Sequence, residues 1–194
     1  YVGPEMEFKK RLLFANTRLL KPLLLRKLAA TPATNALIRT TTAATMLEGS
    51  IKDNILPVRA RGVVNFRILP GDRFEDVLEH VRETARDPKI VVSLAGGAQT
   101  EPSRLSRTDS GAFRTVQKTI HQIFPGVLTA PSLFIAATDS RHYESISDDV
   151  YRFLPLRLRP ADLKRFHGTD ERIGVNDFSR SVRFYYQLIR NADQ

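Results

Sequence analysis

The stretch Phe166-His167-Gly168-Thr169-Asp170-Glu171-Arg172-Ile173 places a histidine and two carboxylates in one polar, glycine-containing loop. An imidazole there is a candidate metal ligand. Zinc catalysis, however, needs three protein ligands or more, and a co-catalytic pair needs carboxylates that bridge two ions. The chain contains no His-Glu-x-x-His, no His-x-Asp and no adjacent pair of glutamates. Its other histidines add little. His80 lies in the charged run "LEHVRE", His121 in the helical "KTIHQIF", and His142 in a polar loop. With no cysteine, thiolate zinc sites, disulfides and cysteine nucleophiles are excluded. No Gly-x-Ser-x-Gly supports a serine nucleophile. On residue types alone, His167 reads more readily as a structural loop residue than as a ligand.

Two arginines and an asparagine are the next candidates. Arg141 in "ATDSRHY" follows an apolar run, where a guanidinium can clamp a carboxylate through two parallel hydrogen bonds. An ion pair to Asp139 or Glu144 is the plainer alternative. Arg67 ends a strand-like segment on its polar face, thirteen residues after Asn54. Asn54 in turn precedes the turn-like Ile55-Leu56-Pro57. Surface ion pairing explains Arg67 equally well, and a turn role explains Asn54.

Several elements must position these residues. Residues 5–29 read as helix, with Phe8, Leu12, Ala15, Leu19 and Leu23 at helical spacing and a kink predicted at Pro22. Residues 30–39 read as a loop. Thr40–Leu47 and Val58–Leu69 read as strands, the second with Val58, Ala60, Gly62, Val64, Phe66 and Ile68 on one face. Asp72 is the predicted cap of the next helix, with Glu75 completing a capping box. Lys89–Leu94 reads as a short buried strand. This pattern predicts an α+β unit with an antiparallel sheet.

The Gly/Ser/Thr/Pro-rich stretch at 96–110 reads as a domain boundary. Beyond it, Ala112–Ile123 is predicted helical, with Phe113, Val116, Ile120 and Ile123 on one face. Val127–Ala137 and Asp149–Leu154 are predicted strands. Val175–Asn191 is predicted as an amphipathic helix capped by Asn176 or Asp177, with Phe178, Val182, Tyr185, Leu188 and Ile189 inward. Alternating helices and strands suggest an α/β segment.

The net charge of +9 at first suggests nucleic acid, but residues 1–39 carry +6 of it, from eight bases against two acids. No zinc finger, RNA-binding aromatic motif or phosphate loop accompanies it, so nucleic acid is not an expected partner. The basic helical segment 5–29 could contact a lipid surface. An insertion with a solvated basic face is the favoured reading. No apolar run is long enough to span a bilayer. The chain opens at Tyr1 rather than Met, so a fragment or processed product is expected.

Four segments, "DNILPVRARGVVNFRILPG", "SRTDSGAFRTVQKTI", "ATDSRHY" and "FHGTDERIGVNDF", occur in this order and at similar spacing in one family. By them the chain resembles the di-zinc metallopeptidases and amidohydrolases that include aminoacylase, carboxypeptidase S and glutamate carboxypeptidase. The similarity runs from about Ala33 to Asn191. It is strongest to the carboxypeptidase S and N-acyl amino acid hydrolase branch, through "ATPATNALIRTTTAATML".

The resemblance implies an incomplete lid, or dimerisation, domain at 1–105, with an antiparallel sheet, two helices and the basic insertion 5–29. The C-terminal part of an α/β catalytic domain would follow at 106–194. It further implies that His167 is a zinc ligand, that Arg141 binds the substrate carboxylate, and that Asn54 and Arg67 reach an active site from the lid, often the partner subunit's. The implied substrate is a peptide or N-acyl amino acid with a free carboxylate. The implied assembly is a homodimer through the lid, and the implied cofactor is a pair of zinc ions.

This sequence departs from the family pattern in lacking the remaining ligands, the general-base glutamate and the lid histidine. The chain alone is therefore expected to bind no zinc and to be inactive. The competing class is a non-enzymatic dimerisation or interaction module.

Overall fold

The computed structural model describes residues 2–96, 101–134, 136, 138–163 and 165–193. These fall into two compact units, one drawn from residues 12–104 and the other from residues 2–11, 105–134 and 138–193. Residues 97–100, inside the boundary stretch expected at 96–110, lie outside the described residues.

A 3-10 turn at Gly3–Glu5 and helix α1 (Phe8–Ala15) open the chain, and α2 (Thr17–Leu28) follows. The break predicted at Pro22 falls instead at Asn16. There the backbone N–H and the side-chain amide both donate to the Leu12 carbonyl, at 3.2 and 2.8 Å, and end α1. Pro22 sits within α2 and removes only one N–H from it. The break also resets the helical phase. Phe8, Leu12, Leu19 and Leu23, expected on one face, are all exposed, while Leu20, Leu24 and Leu28 are half-buried.

The predicted loop at 30–39 contains a short helix, α3 (Pro32–Asn35). Thr31 caps it by accepting the Thr34 N–H at 3.3 Å, and Pro32 occupies the first turn, where its missing N–H has no partner to lose.

Strands β1 (Thr41–Glu48) and β2 (Arg61–Arg67) form an antiparallel pair, the one sheet among the described residues. Ala44 pairs with Val64 and Met46 with Val63, so Thr45 is an extra residue in β1. Its hydroxyl donates to the Val63 carbonyl at 3.3 Å. The bulge disrupts the ladder locally. The single-face reading of 58–68 fails across it: Val63 and Phe66 are half-buried while Val64 is exposed.

The chain then turns at Leu69-Pro70-Gly71-Asp72, where the Asp72 N–H donates to the Leu69 carbonyl at 3.0 Å. Gly71 supplies the positive φ of 110° that this turn needs after a proline.

Helix α4 (Phe74–Ala85) begins one residue later than predicted, with Arg73 as its cap. Asp76, not Glu75, accepts the Arg73 backbone N–H, at 2.8 Å. Asp72 is taken by the Thr40 hydroxyl at 2.5 Å, and Thr40 also accepts the Leu69 N–H at 2.9 Å. A tertiary partner thus competes for the residue that local pattern names as the cap.

The strand predicted at Lys89–Leu94 does not form. Ile90 and Val91 are exposed and pair with no strand among the described residues. A two-stranded sheet with helices is what this unit shows.

In the other unit, α5 (Gly111–Ile123) starts at Ser110, which caps it by accepting the Phe113 N–H at 3.1 Å. It packs on α7 (Val175–Ala192), and α6 (Pro160–Leu163) is a single turn between them in sequence. Ile120, Phe124 and Phe184 form the buried cluster, backed by Val116, Ile123 and Leu188. The predicted α5 face is therefore the packed one.

The α7 face is not. Phe178, Val182, Tyr185 and Ile189, expected inward, are exposed; of the expected face only Leu188 packs on the cluster, and the other residues that meet α5 are Phe184 and Asn191. Its cap is Gly174, rather than Asn176 or Asp177.

The seam is partly polar. Thr119, fully buried, donates to the Thr115 carbonyl at 2.7 Å and accepts from the Asn191 amide at 2.9 Å, which also donates to Gln122. Such hydrogen bonds fix which helix face meets α5.

Neither strand predicted here forms. Residues 127–134 join no ladder, Pro131 has no N–H to offer, and Ile135 and Ala137 lie outside the described residues. Residues 149–154 are held by side chains instead: the Ser106 hydroxyl accepts the Val150 N–H at 2.8 Å and donates to its carbonyl at 2.9 Å. No helix among the described residues is long and apolar enough to cross a membrane.

Candidate substrate-carboxylate site

Arg141 sits in a 3-10 turn, Asp139–Tyr143. Thr138 starts the turn: its hydroxyl accepts the Ser140 N–H at 3.3 Å and pairs with the Ser140 hydroxyl, and its carbonyl accepts the Arg141 N–H at 3.4 Å. The Glu144 N–H closes the turn on the Arg141 carbonyl at 3.4 Å, and no residue of the turn is buried.

The plain alternative for Arg141, an ion pair to Asp139 or Glu144, is not what is found. Glu144 is paired with Arg152, at 3.2 Å, and both side chains are largely shielded, at 24% and 19% exposure. Arg141 forms no ion pair among the described residues. Its Nε donates weakly to His142 Nε2 at 3.4 Å, and its guanidinium is exposed.

Arg152 was not a candidate from sequence. The signal was present in its position as a cation inside the apolar run Val150-Tyr151-Arg152-Phe153-Leu154, since a charge drawn out of water needs a partner. Besides Glu144, it donates from Nε to the Ser140 hydroxyl at 2.6 Å.

The segment that carries Arg152 is itself anchored. Asp149 accepts the Arg107 backbone N–H at 2.8 Å and its guanidinium at 2.7 Å. These Arg107 hydrogen bonds hold the Asp149 carboxyl below its ordinary pKa, the guanidinium contributing most. The Tyr151 hydroxyl donates to the Arg107 carbonyl at 2.6 Å, and the Phe153 ring lies 5.0 Å from the ring of buried Phe184.

His167 lies in the same unit as Arg141, and no hydrogen bond or ion pair joins the two. It is exposed and has a left-handed backbone, φ 60°. Arg165 braces its loop from both sides, to Asp162 at 2.6 Å and to Asp170 at 3.6 Å, and Arg172 takes Asp170 at 3.1 Å. The carboxylate nearest His167 in sequence that could have joined it as a ligand is therefore engaged by arginines. No group of three or more His, Asp or Glu among the described residues could hold a metal. The donors among the described residues do not by themselves fit a zinc site, although the exposed imidazole is available as a single ligand.

Asn54 and Arg67 belong to the other unit. Asn54 lies in an exposed turn after β1 and makes no side-chain hydrogen bond among the described residues. Arg67 is the exposed last residue of β2, opposite Thr41.

Residues 15–91 match the model of the peptidase dimerisation domain. Among curated relatives, the probable carboxypeptidase S-like 2 of Dictyostelium discoideum is 39% identical over all of this chain and 37% of its own length. An N-fatty-acyl-amino acid synthase/hydrolase of Homo sapiens is 35% identical over 97% of this chain and 38% of its own. Carboxypeptidase S of Saccharomyces cerevisiae is 27% identical over 82% of this chain. The chain thus spans well under half the length of these relatives. No solved structure gives a significant match.

Proposed function

We propose, from the premise that this chain carries the peptidase dimerisation domain and is related over its length to carboxypeptidase S-like proteins and N-fatty-acyl-amino acid hydrolases, that it is part of an enzyme cleaving the amide bond of peptides or N-acyl amino acids with a free carboxylate. In this reading residues 1–105 are the lid and residues 106–194 the closing part of the catalytic domain. The supporting observation is Arg141. It is an exposed guanidinium on a short turn, and Glu144, one of the two acids that flank it, is bound by Arg152. An arginine so placed has its two terminal nitrogens available for a substrate carboxylate. The carboxylate then fixes the register of the scissile amide, and a neutral analogue cannot use the same contact.

His167 serves in this reading as one ligand of a zinc pair. The other ligands are not supplied by the described residues, so no chemical step is assigned to this chain. Asn54 and Arg67 contribute to substrate binding from the lid of a homodimer, which agrees with the dimerisation-domain match at 15–91.

The test is kinetic. Arg141→Ala in the full-length protein raises KM for an N-acyl amino acid by about 30-fold or more, the effect of losing one partner of a desolvated charge pair. Unchanged kinetics sink the role. Zinc content of the full-length protein separates the enzyme from the competing reading, a metal-free dimerisation module. Two ions per chain favour the first and none favours the second.

A further inference from the structure

We infer that Arg152 is a positioning residue for Arg141. The inference rests on the carboxylate-binding reading above and specifies what holds that site in place. The turn that carries Arg141 has no buried residue of its own, so packing cannot fix it. Arg152 grips it at both ends. One hydrogen bond reaches the Ser140 hydroxyl, the residue before Arg141, and an ion pair reaches Glu144, three residues after it. The other side of Arg152 is the segment tied down by Asp149 on Arg107, by Tyr151 on the Arg107 carbonyl, and by Phe153 against buried Phe184. A continuous set of contacts therefore runs from the α5–α7 core to the turn.

The same arrangement has a second consequence. By pairing with Glu144, Arg152 engages one of the two carboxylates that flank Arg141 in sequence. Loss of Arg152 both loosens the turn and removes the guanidinium that pairs with Glu144. Both effects weaken binding of a substrate carboxylate, and neither requires Arg152 to touch substrate.

The experiment measures, in the full-length protein, kcat/KM for an N-acyl amino acid and for its carboxamide analogue. The ratio of the two reports the carboxylate contact alone, because a variant that merely lowers the folded fraction reduces both values equally. Arg152→Met lowers this ratio by about 10- to 100-fold, as expected when a positioning contact is displaced. Arg141→Ala lowers it at least as much, and the double variant lowers it no further. Glu144→Gln with Ser140→Ala breaks the same grip without touching Arg152 and gives the same direction, which covers the case of an Arg152 variant that does not fold. In parallel, trypsin cleavage after Arg141, measured against cleavage after Lys52 as an internal reference, speeds up selectively in the Glu144→Gln/Ser140→Ala protein.

A ratio that falls in Arg141→Ala but not when the grip is broken overturns the positioning role and leaves the carboxylate reading standing. A cleavage rate after Arg141 that does not change overturns the grip itself. A ratio unmoved by Arg141→Ala overturns the carboxylate reading, and with it this inference.

Discussion

Arg107 holds Asp149 with its backbone N–H and with its guanidinium, at 2.8 and 2.7 Å, across 42 residues of sequence. The Asp149 side chain is only 9% exposed, whereas that of Arg107 is 66% exposed. The contact therefore satisfies a carboxylate drawn out of water, and it fixes the segment on which Arg152 depends.

The pH dependence follows from its sign. Asp149 titrates below its ordinary value of 3.8 in the folded chain, chiefly through the Arg107 hydrogen bonds. A depressed carboxyl contributes stability that is fully present above the unfolded pKa and is lost as pH falls through the folded one. We expect the difference in urea midpoint between wild type and Asp149→Asn to be constant above about pH 5 and to vanish in stronger acid. A difference independent of pH would show that the carboxylate is not held this way.

The packed face of α7 gives a second test. Phe184→Ala should cost about 3–5 kcal/mol, as for a fully buried aromatic side chain. Ile189→Ser should change stability by no more than about 0.5 kcal/mol, because Ile189 is 70% exposed. Urea denaturation of both variants decides between this face and the one read from sequence, which predicts a large cost at Ile189.

The polar seam should show coupling. Asn191→Ala removes the donor to Thr119, whose side chain is fully shielded from solvent, and should cost about 1–2 kcal/mol. In a double-mutant cycle with Thr119→Val, the two changes should fall short of additivity by at least about 0.5 kcal/mol. Strict additivity would mean that the two side chains do not interact.

At the start of α4, the acid that matters is Asp76. Asp76→Ala should cost about 1 kcal/mol through loss of its bond to the Arg73 N–H. Glu75, whose contact to Arg73 is exposed and 3.8 Å long, should matter by a few tenths at most. Equal costs would place the cap where local pattern puts it.

Local rules located the helices 74–85, 111–123 and 175–192 to within a few residues, because apolar spacing is read over a few turns, although two of the predicted caps moved. They also located strands β1 and β2, where period-two alternation and β-branched residues are read along a single segment. The resemblance in four ordered motifs pointed to the relatives that sequence comparison returns. It could not say how Arg141 is held.

Several choices were made only by tertiary contacts. α7 has apolar residues on two sides, and periodicity cannot say which of them α5 will cover; Thr119 and Asn191 settle it with a hydrogen bond between residues 72 apart. Asp72 loses its capping role to Thr40, 32 residues away. The segments 89–94 and 149–154 have strand-like composition, but a strand is a pairing, and composition does not supply the partner. The same limit hid Arg152. Its sequence neighbours are apolar, and the acid and hydroxyl that satisfy it stand on another turn of the chain. Short-range chemistry fixed the elements and their order, and contacts between separate elements decided which faces meet and which arginine, Arg152, is engaged by an internal acid.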